Sequence, residues 1–311
     1  MQRSFFDYIL ITLKGLAIGA ADVVPGVSGG TIAFISGIYE ELLTSINKIN
    51  LKALKTLGTE GFSSFWKTIN GNFLIALFLG IGVSIFSLAK VIRWLLEHHP
   101  LLLWAFFFGL ILASIYFLGK DIKKWNLGVV SALLIGCLLA FWITSLPPWQ
   151  SEHGYLFLFL SGALAICAMI LPGISGAFIL VLLGAYHTIL SAISELNFKI
   201  LATVGCGAIV GLLSFARLLK WMFTHYKNTT VALMMGFIIG SLNKIWPWKQ
   251  TVSTYVDAHG NLKPFLEKNV LPFAYEGNPK TLQVILMTLI GFFIIFLLER
   301  FAVSLKKANT K

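Results

Sequence analysis

The chain has 311 residues, 57% of them hydrophobic and only 12% charged, with a net charge of +11 and a mean hydropathy of +0.84. Soluble globular domains carry about twice that charged fraction, so a soluble fold is excluded. The bases lie at the ends of apolar runs and in loops, which points to membrane orientation and anionic headgroups and away from nucleic acid. The expected class is an all-α polytopic membrane protein with no cofactor and no metal site. Cys137, Cys167 and Cys206 all fall inside apolar segments without metal-ligand spacing, and serve as small packing residues.

In chain order, residues 5–21 predict one hairpin arm, 22–30 a break and 31–46 a returning arm. Arg3 before an apolar stretch imitates a signal peptide, but Asp7 and Lys14 interrupt the run and an internal copy of it exists downstream. Spans follow at 72–94, 101–119 and 127–146. A second hairpin has arms at 155–170 and 177–194 around a break at 171–176. Spans at 200–222, 229–244 and 281–299 close the chain, with an outer loop at 245–280 that has no evident role. Each span approaches the roughly 20 apolar residues needed to cross a bilayer. Length does not decide whether the hairpin arms cross fully or turn back midway.

The two breaks are copies. "ADVVPGVSGGTIAFISGIYEELLTSI" (21–46) aligns without gaps on "AMILPGISGAFILVLLGAYHTILSAI" (168–193), with identity at ten of 26 positions. The likeness resumes from Gly80 and Gly207, where Ser87, Trp94 and His98 meet Ser214, Trp221 and His225. The chain therefore divides into halves at 1–148 and 149–311. A hairpin plus three crossings is an odd count, so the second half is expected upside down relative to the first. Lys and Arg counts favour both termini inside, although the outer loop carries Lys249, Lys263, Lys268 and Lys280. Inverted repeats of this kind mark alternating-access transporters.

Irregular backbone at membrane depth persists only where protein buries it or water reaches it. Around the first break stand Pro25, Gly26, Ser28, Gly29 and Gly30; around the second stand Pro172, Gly173, Ser175 and Gly176. A returning arm that begins at such a break presents free N–H groups to an anion, and Ser28 either caps the helix or donates to a ligand oxygen. The alternative is tight helix packing with no ligand. Lys90 and Arg217 lie about 6–9 Å inside their span ends at 1.5 Å per residue, where they either contact an anionic group or snorkel to headgroups. Asp22, whose counterpart is Met169, is a candidate proton- or cation-coupling carboxylate, or else a cap or a partner for Lys14.

On "ADVVPGVSGGTIAFISGIYEEL" and its echo "LPGISGAFILVLLGAY", the chain resembles the PopT-type polyprenyl-phosphate transporter family over nearly its whole length. The resemblance implies a multi-pass protein of the bacterial cytoplasmic membrane. It would return undecaprenyl phosphate, the lipid carrier of envelope polymer precursors, from the outer to the inner leaflet. It implies the lipid substrate as partner and no enzyme activity; oligomeric state stays open. "LPGISGA" also resembles the Pro-Gly-x-Ser-Arg-Ser element of undecaprenyl-diphosphate phosphatases. However, Gly176 and Ala177 replace its Arg and second Ser, and no acidic cluster accompanies either hairpin. An anion channel would use the same backbone N–H groups.

Overall fold

The computed structural model describes residues 3–23, 27–146, 154–256 and 262–308. The first half comprises α1 (Phe5–Val23), α2 (Gly29–Ile35), α3 (Tyr39–Lys48), α4 (Leu51–Thr59), α5 (Phe62–Thr68), α6 (Gly71–His98), α7 (Pro100–Asp121) and α8 (Leu127–Ser145). The second comprises α9 (Tyr155–Ile170), α10 (Gly176–Leu182), α11 (Ala185–Ser194), α12 (Phe198–His225), α13 (Lys227–Gly240) and α14 (Thr281–Ala308). Four helices among the described residues are long and apolar enough to cross a membrane: α6, α7, α8 and α12. Over the expected span at 229–244 lie the 14-residue α13 and, directly after it, a 3-10 turn at Ser241–Ile245.

The returning arms, expected over 31–46 and 177–194, are each broken a second time. α2 gives way to α3 at Gly37 and α10 to α11 at Gly184, where φ is +73° and +74°. That left-handed conformation suits glycine, which has no Cβ to clash. The second pair bends by 113°. Gly37 and Gly184 are aligned positions of the two copies.

Apolar burial does not hold helices together in lipid, so close backbone approach must. Four pairs achieve it at glycines. α1 and α6 meet at Gly15, Gly19 and Gly80, α9 and α12 at Gly162, Gly207 and Gly211. α8 and α13 meet at Gly136, Gly236 and Gly240, α7 and α14 at Gly109 and Gly291. Within each pair the contacts advance along both helices together, so the two run parallel. α7 and α13, by contrast, run antiparallel. The end of α7 (Leu118, Asp121) and the start of α13 (Lys227, Val231) line one cavity, while Phe108 near the start of α7 meets Trp246 beyond the end of α13. α6 starts at that same face, where Arg3 lies over Phe73 and reaches Glu41, and runs away from it. α12 ends there at His225. His98 and His225, at matching positions, each bond through Nδ1 to the carbonyl of the Trp one turn earlier, both at 2.9 Å.

Between α3 and α6, the short helices α4 and α5 leave Leu51, Leu54 and Phe62 exposed beside Lys52, Lys55 and Lys67, the composition of a segment lying in the headgroup layer. Within 245–280, β1 (Lys249–Val256) pairs antiparallel with β2 (Leu262–Asn269), strands not expected from the sequence.

Lys249 anchors this hairpin. Its Nζ donates to the Lys244 carbonyl at 2.7 Å, lies 3.7 Å from the centre of the Trp104 ring and 3.6 Å from Glu267 Oε2. Burial pushes the ammonium down to about 8 despite these partners, against about 10.4 in an unfolded chain. Below pH 8 the folded hairpin carries the full cost of the buried charge. Between about pH 8 and 10.4 only the unfolded chain still holds the proton, so stability rises with pH across that window. Thermal unfolding of this hairpin, followed by tryptophan fluorescence, should therefore shift upward as pH is raised through the window, and Lys249→Met should flatten the dependence.

Candidate functional site

The two breaks meet. Ser28 Oγ donates to the Leu171 carbonyl at 3.2 Å, the Gly173 N–H donates to Thr31 Oγ1 at 2.8 Å, and the Tyr39 hydroxyl donates to the Ile170 carbonyl at 2.9 Å. Side chains of the first hairpin thus satisfy the backbone groups exposed where α9 ends, polar groups that lipid cannot satisfy. Ser28 and Thr31 are buried. A Cβ on Gly30 would stand 2.7 Å from the Ile170 carbonyl oxygen, so the approach requires glycine.

Ser28 therefore does not cap α2, and Ser175 makes no side-chain cap on α10. Asp22 supplies the cap instead: its Oδ1 accepts the Gly29 N–H at 2.8 Å. Lys14 Nζ donates to the Ser36 carbonyl at 2.7 Å. The second break has Met169 where the first has Asp22, so no carboxylate occupies that start. Pro172, Gly173 and Gly176 are buried and Ser175 is half-buried. Pro25 and Gly26 lie outside the described residues. Lys90 and Arg217 sit on exposed faces of α6 and α12, apart from the junction.

A cavity of about 670 Å³ opens beside the junction, and its lining was missed in the sequence. Phe34 and Tyr39 form its inner part and pack with Phe223, ring centres 5.1 to 6.1 Å apart. Its mouth carries Lys123 and Lys124 from the α7–α8 connection, and His225 and Lys227 from the α12–α13 connection. Glu40 and Asp121 are its acids, and Glu40 Oε1 accepts from Lys227 Nζ at 2.6 Å. The α7–α8 and α12–α13 connections touch where the Lys123 N–H reaches Asn228 Oδ1 at 3.4 Å. A basic mouth over an aromatic interior suits an amphiphile with an anionic head.

The undecaprenyl phosphate translocase-like family matches residues 18–263. The chain belongs to that family. It is 48% identical over 276 residues to a polyprenyl-phosphate transporter of Vibrio cholerae, covering 89% of this chain and 90% of the relative. It is 34% identical over 261 residues to a polyprenyl-phosphate transporter of Staphylococcus aureus, covering 78% and 87%. Both relatives are named as transporters, which agrees with the absence of an Arg and a second Ser from "LPGISGA". No solved structure matches the chain.

Proposed function

We propose that this protein moves undecaprenyl phosphate from the outer to the inner leaflet of the bacterial cytoplasmic membrane. The halves 1–148 and 149–311 act as inverted repeats, with both termini and the lysine-rich face in the cytoplasm. The head crosses at the junction of the breaks, among Ser28, Gly29, Gly30, Gly173, Ser175 and Gly176, with Pro25, Gly26 and Pro172 shaping the turns. The prenyl tail stays in lipid. Lys90 and Arg217 meet the head as it enters from lipid, and Asp22 carries the coupling proton or cation. The observation that carries this reading is the antiparallel course of α7 against α13 and of α6 against α12 around two interlocked hairpin tips.

Reconstitution into vesicles tests it, with leaflet movement of undecaprenyl phosphate and phosphate release followed in parallel. Movement without release is expected; release without movement would assign a phosphatase. Asp22→Asn keeps a side-chain oxygen that can accept the Gly29 N–H but removes the charge that would carry the coupled proton or cation, so it should slow movement sharply while the folded protein persists. Unchanged movement would leave Asp22 as a cap only.

A further inference from the structure

We infer that the cavity at the lysine-rich face binds a phosphate monoester, and that the bound phosphate takes Lys227 from Glu40. The inference rests on the proposed transport reading and gives it a specific inner site. Three lysines, Lys123, Lys124 and Lys227, converge at the mouth from two connections about a hundred residues apart in the chain. Asn126 and Asn228 stand among them as further polar lining. α13 starts at this mouth with no side-chain cap, adding backbone N–H groups that face an anion.

The opposing acids set how the site works. The three lysines against Glu40 and Asp121 leave one net positive charge, less than a phosphate monoester of about −1.5 to −2 would fully neutralise. Lys227 is more than half exposed and already paired, so the pair is a weak solvent-screened one that a dianion can displace. Displacement frees Glu40 at the first turn of α3. The neighbouring residues of that turn are Tyr39, bonded to the second break at Ile170, and Glu41, which holds Arg3 and Asn70. Arrival or departure of the head is thereby linked to the turn of helix that fastens one hairpin to the other.

The exchange makes a prediction that a merely structural ion pair does not. Lys227→Gln and Glu40→Gln should change affinity in opposite directions. Farnesyl phosphate is titrated into the purified full-length protein in detergent, with inorganic phosphate as a second arm and thermal unfolding as a fold control. Lys227→Gln, or Lys123→Gln with Lys124→Gln, should weaken farnesyl phosphate binding by about tenfold, the scale of one lost charge-assisted contact. Glu40→Gln should tighten it severalfold. Equal weakening by both members of the pair, or no change in either, would overturn the exchange. Inorganic phosphate binding as tightly as farnesyl phosphate would overturn the lipid assignment. If these variants bind as wild type while wild type still moves lipid in vesicles, this inference fails alone. If wild type moves no lipid, the transport reading fails first.

Discussion

Replacing Gly80 or Gly207 by alanine is expected to remove most folded protein. An added Cβ on Gly80 would stand 2.0 Å from the Thr12 carbonyl oxygen, and one on Gly207 would stand 1.9 Å from that of Phe159. The obstructing atom is backbone in both cases, so no rotamer change relieves it and whole helices must separate. Overpacking costs about 1–3 kcal/mol where side chains yield, and these sites lie at or beyond the upper end. In lipid the separated pair has little to regain, since association depends on close packing. Gly82 and Gly205 are the controls, because nothing lies within 4 Å of a Cβ there. Alanine at either should be neutral or stabilise by up to about 1 kcal/mol through helix propensity. The yield of monodisperse protein and its melting temperature decide the matter. Equal tolerance at all four positions would contradict the packing described.

Thr31→Val is expected to loosen the junction without disturbing its shape. Thr31 is wholly buried and its Oγ1 accepts the Gly173 N–H. Valine matches the volume but leaves that N–H without an acceptor, at about 1–3 kcal/mol. Every 1.4 kcal/mol is a tenfold shift in an equilibrium, so amide hydrogen exchange across 170–176 should rise by about tenfold or more. Tyr39→Phe strands the Ile170 carbonyl in the same way. The two substitutions act on one junction, so their combined effect should depart from the sum of the separate ones. Exchange at wild-type rates in the double variant would mean that these bonds do not hold the hairpins together.

The breaks themselves were legible because Pro-Gly-x-Ser-Gly in an apolar run has few other uses, and their recurrence 147 residues later placed both. The second kink in each returning arm was present in the same alignment, at Gly37 and Gly184. It gives little signal there, because a lone glycine inside a helical pattern is ordinarily tolerated. The roles of Ser28 and Asp22 could not be read along the chain. Ser28 belongs to a bond 143 residues distant, and Asp22 reaches across the break to Gly29. The cavity was hidden for a similar reason. Lys123, Lys124 and Lys227 each count toward membrane orientation, and only the folded contact between two connections gathers them. The strands at 249–256 and 262–269 carry β-formers such as Thr, Val and Tyr, but alternation in a short polar loop is a weak signal beside long apolar spans.

For the head to cross at the junction as proposed, the interlocked hairpins must part in each transport cycle. Cysteines introduced at Thr31 and Leu171, in a chain whose Cys137, Cys167 and Cys206 are alanine, can be joined by a short reducible bifunctional thiol reagent. Leaflet movement of undecaprenyl phosphate in vesicles is then measured before linkage, after it, and after reduction. Movement should fall to the protein-free rate on linkage and return on reduction. Undiminished movement across a fully linked junction would show that the lipid head travels by another path.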